Sequence, residues 1–306
     1  MECPGKLNIV EKEMERCSVE ILGLAEHWWI GQGKFTTLEG SMVLYSGRDC
    51  GKRRGGVGFI IHKHITKYVL GYNPVNDRII TIRLKGKPLN ITIVQIYAPT
   101  ADSTEEEIEA FYATLQDTLD NISKKDIIMV AGDWNAKIGK INKKTENIGI
   151  YGLGERNERG DLLEDFCITN DLVVSNTTFQ QHTRRLYTWK SPGDRHSNQI
   201  DYITIARRWR TTIKRVKTRP GADCGSDHQL LVAKVKIKLR YKEKKDIPIR
   251  YDMERISEKY KVEVKNKFSA LFTMSEEEKK PDMLWKEAKK VIHEAARDNI
   301  AREKTV

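Results

Sequence analysis

The sequence predicts an α/β fold in which two β-sheets pack together under a cover of helices. Seven short runs rich in Ile and Val, bounded by Gly, Pro, Asn or Asp, read as strands. Helical periodicity shows in two stretches between those runs and in the C-terminal quarter. At 306 residues the chain is long enough to bury a large core.

The elements follow in order. Val19–Ala25, Gly56–His62, Arg78–Leu84 and Leu89–Tyr97 are the first four strand runs. Ile108, Phe111, Tyr112, Leu115, Leu119 and Ile122 then recur at the spacing of one helix face, with Ser103 and Glu106 as the expected capping box. The strand Asp126–Ala131 follows, then a shorter helix over Gly160–Asn170, then the strands Gln199–Ala206 and Gln229–Ile237. Beyond Leu239 the composition shifts. Residues 236–306 hold 20 Lys and Arg against 14 Asp and Glu, which is +6 of a total of +11. Trp285, Ala288, Val291, Ile292, Ala295 and Ala296 make an apolar stripe at helical spacing. The expected organisation is one α/β domain over 1–239 and a charged, mostly helical linker or tail over 240–306.

Composition narrows the function. Lys and Arg number 54 against 43 Asp and Glu, and a basic chain attracts polyanions, nucleic acid first. Five cysteines with no CxxC pair indicate neither a disulfide framework nor a zinc site, which fits a reducing compartment. No run of ~18 apolar residues suggests a membrane span, and the start Met1–Lys6 lacks the apolar core of a signal peptide. A nuclear or cytoplasmic protein, not a secreted one, is the expectation.

Polar residues cluster at the ends of the strand runs. Glu26 ends Ile21–Ala25, Tyr97 ends Ile91–Ile96, and Asp133 and Asn135 follow Ile127–Ala131. Asp201 lies inside a run of β-formers, where a carboxylate costs desolvation unless it is paired. Asp227 and His228 open the last run. Singly, each has an ordinary explanation: a solvated strand end, a packing aromatic, a turn, a structural histidine. Together they suit one reaction. Glu26 and Asp227 offer oxygen ligands to a hard divalent cation, and such a cation neutralises a phosphate and its leaving oxygen. Asp133 can position or deprotonate a water, Asp201 can orient His228 for acid–base work, and Asn135 and Tyr97 can donate hydrogen bonds to phosphate oxygens. That is metal-assisted phosphodiester hydrolysis.

The ordered blocks Leu24-Ala25-Glu26, Tyr97-Ala98-Pro99, Gly132-Asp133-Trp134-Asn135, Gln199-Ile200-Asp201-Tyr202 and Gly225-Ser226-Asp227-His228 resemble the endonuclease/exonuclease/phosphatase superfamily. Phe179–His182, Arg185–Trp189 and Thr218–His228 are similar to the endonuclease domain of RTE-type LINE retrotransposons. The resemblance implies a four-layer sandwich of two mixed β-sheets flanked by helices, with the site where strand ends of both sheets meet. It implies Mg²⁺ or Mn²⁺ at Glu26 and Asp227, phosphate contacts from Tyr97 and Asn135, water handling by Asp133, and an Asp201–His228 pair at the scissile phosphate. It also implies an apolar first strand carrying an active-site Asn ahead of Lys6–Glu15; here that segment is expected to be helical and the strand to be missing.

DNA is the expected partner, with no membrane and no small-molecule cofactor. The window His182–Arg219 holds eleven Lys and Arg, among them Arg184, Arg185, Arg207, Arg208, Arg210, Lys214 and Arg215, against two acids. Tyr187, Trp189 and Trp209 interleave with the charges, so phosphate contact with base stacking or wedging is expected beside the Asp–His pair. Arg48, Lys52, Arg53 and Arg54 form a second basic loop. Three functions are compatible with these features: a Mg²⁺-dependent endonuclease nicking duplex DNA, a phosphatase of the same fold, and a catalytically dead domesticated domain that binds DNA or chromatin.

Overall fold

A helix comes first, as the segment Lys6–Glu15 predicts. In the computed structural model, which describes residues 5–48, 55–191, 193, 196–237, 251–252, 256–271 and 281–300, α1 runs over Lys6–Cys17. It buries Val10 and Met14 against a four-stranded antiparallel sheet. That sheet contains β1 (Ile21–Ala25), β2 (Gln32–Thr36), β3 (Met42–Ser46) and β4 (Val57–Ile61), in the order β1-β4-β3-β2. Cys3, Cys50 and the basic residues Lys52, Arg53 and Arg54 lie outside the described residues; Arg48 is ion-paired to Asp77 at 2.5 Å.

The second sheet has six strands. They are β5 (Val69–Asn76), β6 (Ile79–Leu84), β7 (Ile91–Tyr97), β8 (Ile127–Asp133), β9 (Leu172–Val174) and, after the short pair β10 (Trp189–Lys190) and β11 (Ser197–Asn198), β12 (Asp201–Ala206). Their order is β5-β6-β7-β8-β12-β9. The β7–β8 pair is parallel, and the crossover between them is α2 (Glu105–Asp120). A hairpin of β13 (Ile213–Arg219) and β14 (Leu230–Val235) completes the strands.

Alternation along the strands builds the layers. Ile80, Ile82 and Leu84 meet Leu44, Phe59 and Ile61 of the first sheet. On the same face, Met129, Ile203 and Ile205 meet Ile213 and Val216 of the hairpin. The opposite face presents Val94, Ile96 and Val130 to Phe111, Leu115, Leu163 and Phe166 on α2 and α3 (Glu158–Thr169). The result is the expected sandwich of four layers.

The helix caps depart from expectation in one place. Ser103 bonds back to Thr100 in a turn, so the cap of α2 falls one residue later: Thr104 Oγ1 accepts from the Glu107 amide at 3.3 Å. Asn157 caps α3 through the Gly160 amide at 3.0 Å.

Two compact units divide the chain, Met1–Lys238 and Leu239–Val306. In the second, α4 (Glu258–Leu271) packs with α5 (Pro281–Asn299), and Asn299 Nδ2 donates to Glu263 Oε2 at 2.6 Å. Val291, Ala295 and Ala296 are buried, whereas Trp285 and Ile292 of the expected apolar stripe are exposed. No helix among the described residues is long and apolar enough to cross a membrane.

Candidate active site

Three neighbouring strands end at one place because of their registers. Tyr97 on β7 pairs with Asp133 on β8, and Asp133 pairs with Asp201 on β12. Gly132 makes the approach possible. Its φ is +143°, and a Cβ there would stand 2.1 Å from the Ile96 carbonyl oxygen, so only glycine fits. Trp134 then anchors the turn. It is 1% exposed within the core, and its indole Nε1 donates to the Tyr202 carbonyl at 3.2 Å. Burying Trp134 leaves Asp133 and Asn135 aimed at the opposite side, toward a cavity of about 1690 Å³.

Asp133 is 5% exposed, and its Oδ1 accepts the Asn135 amide at 2.9 Å. Asn135 sits at φ +47° and donates from Nδ2 to the Ala98 carbonyl at 3.0 Å. His228 places Nδ1 3.0 Å from Asp201 Oδ2 and Nε2 4.0 Å from Asp133 Oδ2. Thr188 Oγ1 accepts from the Ile200 and Asp201 amides at 3.0 Å each, which locks the start of β12.

These distances shift the ionisations. Burial, and after it the Asp201 charge, pushes Asp133 up to about 8. Burial pushes the His228 imidazole down, but the hydrogen bond and charge of Asp201, with Asp133 and Asp227, more than reverse this and raise it to about 9. The cluster therefore retains protons at neutral pH. Tyr97 is held protonated by burial, and after it by the neighbouring Glu26 carboxylate.

Asp133, Asp201 and His228 form a group whose ligand atoms all lie within 4.8 Å, a candidate metal cluster. The two residues expected to hold a cation, Glu26 and Asp227, are exposed at the rim of the same cavity and outside that group. Asp227 Oδ2 accepts from the Trp189 indole at 2.9 Å, and Glu26 neighbours Tyr97. Among the described residues no Lys or Arg is ion-paired to Glu26, Asp133, Asp201 or Asp227. Four carboxylates around one imidazole, with oxygen donors at the rim, fit a hard divalent cation.

Sequence reasoning missed two supports of the site, His27 and Arg78, and the contacts of two more, Thr188 and Trp189. His27 is 1% exposed; its Nε2 meets the Val57 carbonyl at 3.0 Å and its Nδ1 accepts the Trp29 amide at 3.0 Å. Burial lowers its pKa to about 4, so it stays neutral and braces the turn that carries Glu26 at φ +55°. Arg78 donates to the Tyr97 carbonyl at 3.2 Å and lies 5.3 Å from the Tyr97 ring centre. Thr188 and Trp189 were legible as members of the basic window and of the block Arg185–Trp189, without these contacts. Gly56 makes room for His27: a Cβ there would stand 2.5 Å from the imidazole.

The basic window is divided by the fold, and this corrects its expected position beside the Asp–His pair. Asp201 begins β12 and Arg207 follows its last residue, so the two are separated by about 20 Å of strand. Arg208, Arg210, Lys214 and Arg215 share that far end, around the start of β13. Arg207 is ion-paired to Asp171 at 2.5 Å and also to Glu146. Arg184 and Arg185 lie in a short helical turn, Thr183–Arg185, three to four residues before Thr188, whose Oγ1 bonds the start of β12. Arg195 is outside the described residues. Trp209 packs half-buried against the hairpin core, and Trp189 holds Asp227, so both have structural contacts where base stacking was expected.

The comparisons with known proteins agree with this architecture. A family model described as "Endonuclease/Exonuclease/phosphatase family" matches residues 2–228. The chain belongs to the endonuclease/exonuclease/phosphatase family. It is 46% identical over 252 residues to craniofacial development protein 2 of Bos taurus, covering 82% of this chain and 42% of that protein. The protein of the same name from Tragulus javanicus is also 46% identical, over 248 residues, at 81% and 42% coverage. The chain thus spans about two fifths of the length of these relatives. Among solved structures, the endonuclease domain of TRAS1, a telomere-specific non-LTR retrotransposon, superposes with TM-score 0.54 at 16% identity, covering 76% of this chain and 92% of that one. An AP endonuclease from Archaeoglobus fulgidus gives 0.57 at 17% identity, with 76% and 94% coverage. These likenesses show the same fold and, with the family, a nuclease- or phosphatase-type hydrolase.

Proposed function

We propose that the chain is a divalent-metal-dependent DNA endonuclease, derived from a LINE retrotransposon, that nicks duplex DNA in the nucleus. The observation that carries this reading is the Asp133–Asp201–His228 constellation, held at adjoining strand ends beside Tyr97 and Asn135. Solved structures of the same fold include a 3' phosphatase from Neisseria bound to a product DNA hairpin and AP endonucleases, which supports a nucleic-acid substrate.

In this mechanism Asp133, with a pKa near the working pH, accepts the proton of the attacking water. His228, kept as imidazolium by Asp201, hydrogen-bonds the scissile phosphate and stabilises the charge that builds on its oxygens. Asn135 and Tyr97 position the same phosphate. Glu26 and Asp227 would hold Mg²⁺ or Mn²⁺, which when bound neutralises the leaving oxygen. Trp189 and Arg78 keep Asp227 and Tyr97 in place.

Supercoiled plasmid tests the reading. Purified protein with Mg²⁺ should convert it to open circles, and EDTA or His228→Ala should stop the conversion. Retention of plasmid without nicking, unaffected by EDTA, would instead favour a binding-only domain. Turnover of small phosphate esters without nicking would favour a phosphatase.

A further inference from the structure

Among the described tryptophans of the first unit, Trp28 alone has no structural contact to account for it. Trp134 is enclosed in the core, Trp29 packs with His27, Phe35 and Tyr45, Trp209 packs against the hairpin, and Trp189 holds Asp227. Trp28 is 37% exposed, and among the described residues no ring contact or hydrogen bond engages its indole. It lines the same cavity as Glu26, Asp133, Asn135 and His228. One exposed ring is ordinary on a protein surface. The backbone that carries this one, and its place beside the site, are not.

Beyond the end of β1 the chain stays tied to the segment before β4. The Glu26 amide donates to the Gly56 carbonyl at 2.8 Å, and the Trp28 amide to the Gly55 carbonyl at 3.1 Å. His27 and Trp29 pack together, their rings stacked at 4.8 Å, with the Trp29 amide bonded to His27 Nδ1 at 3.0 Å. Glu26 and Trp28, which alternate with them, are exposed, and both sit at positive φ, +55° and +64°. For a bulky residue this conformation is an outlier. It persists only where the surroundings impose it, and such residues cluster at active sites and ligand clamps. Glycine would make the same turn without strain. The protein instead holds an indole there, two residues from Glu26.

We propose that Trp28 is a platform on which the base of a nucleotide next to the scissile phosphate stacks. The proposal rests on the endonuclease reading and names a further contact for its substrate. Two residues of chain reach at most about 7 Å. With Glu26 at the cation and its phosphate, the indole therefore lies within the reach from that phosphate to an adjoining base. Stacking of this kind is sequence-tolerant, because every base has a π-face. The base must leave its own neighbours to reach the ring, and an unpaired base gives up least in doing so. The platform thus favours frayed, mismatched or single-stranded flanks over fully paired ones, and it does not select among the four bases.

The test is a binding cycle on the whole 306-residue chain with Ca²⁺. Its probes are a fluorescein-labelled deoxyadenosine hexamer and an abasic hexamer with the same phosphates, read by anisotropy. The native chain should prefer the deoxyadenosine hexamer, and Trp28→Ala should cut that preference by about 5- to 150-fold, the worth of one stacked base. Trp28→Phe should keep most of it. Trp28→Gly should lose it as the alanine variant does, yet melt no lower than the native chain, since glycine accepts the positive φ. An unchanged preference in Trp28→Ala, an equal loss of affinity for both hexamers, or a lower-melting Trp28→Gly would each overturn the inference, the last because the ring would then be packing in the fold. Plasmid nicking alongside any of these leaves the endonuclease reading standing. Failure of the native chain to bind either hexamer overturns the inference as well, and the absence of nicking would then remove the endonuclease reading with it.

Discussion

Asp201→Asn should convert His228 from a cation to a neutral ring at the pH of the reaction. In the native site His228 titrates at about 9 rather than 6.5, and at ~1.36 kcal/mol per pH unit the difference corresponds to about 3 kcal/mol favouring the imidazolium. Burial works against the charge, so the excess comes from Asp201 at 3.0 Å, then from Asp133 and Asp227. Asparagine preserves the shape and removes the negative charge. Burial then dominates, and the midpoint should fall to 6.5 or below. At pH 8 the native ring is about nine-tenths protonated and the variant ring almost wholly neutral.

Two measurements follow from this. The ¹H–¹³C ring resonance of His228, assigned by its loss in His228→Gln, should titrate near 9 in the native chain and two or more pH units lower in the variant. Melting should respond as well. A value raised on folding stabilises the protein fully below pH ~6.5, and the contribution disappears as the pH rises through about 9. Asp133, raised to about 8 by burial and by Asp201, acts in the same direction over lower pH. The native melting temperature in EDTA should therefore fall between pH 6.5 and 9, and Asp201→Asn should flatten that fall. Nicking by the variant should be depressed most at pH 8 and least at pH 6. An unshifted His228 midpoint in the variant would refute the pairing as the source of the charge.

Other consequences are as direct. Asp133→Ala should lower nicking by ~10²–10⁴-fold while leaving duplex binding near native, as read by plasmid conversion and gel retardation. Trp189→Phe removes the 2.9 Å bond to Asp227 and should raise the Mg²⁺ concentration for half-maximal nicking by ~10-fold or more. Arg184→Ala with Arg185→Ala should flatten the slope of log K against log salt by up to about 0.9 per contact, whereas Arg207→Ala, at the far end of β12, should leave it unchanged; filter binding across a salt series distinguishes the two. Asp126→Ala strips Arg83 and Thr92 of their partner, bonded at 2.7 and 2.9 Å and 4% exposed, and should cost about 2–3 kcal/mol in urea unfolding.

What the sequence made legible divides along a physical line. Residues whose role is fixed by their own strand could be read: Asp133 and Asn135 flank a tryptophan that must be buried, so their direction follows from Trp134. The Asp201–His228 pair was readable because a carboxylate inside a β-rich run requires a partner, and it has one at 3.0 Å. Strands with a solvent face were harder. β13 buries Ile213, Val216 and Thr218 between cations, exposed at Lys214 and Arg215 and half-buried at Lys217 and Arg219, and its charges dominated the reading although the pattern is that of a half-buried strand. The same charges produced the largest error of position. Sequence proximity places Arg207 six residues from Asp201, but six residues of strand extend about 20 Å, farther than a helical or looped segment would reach. An extended backbone therefore carries a charge away from a site as effectively as it delivers one. Of the basic window, the members placed at the site end are those before β12, where the chain returns through Thr188 to the Asp201 amide, and Arg219, which ends β13 and lines the cavity.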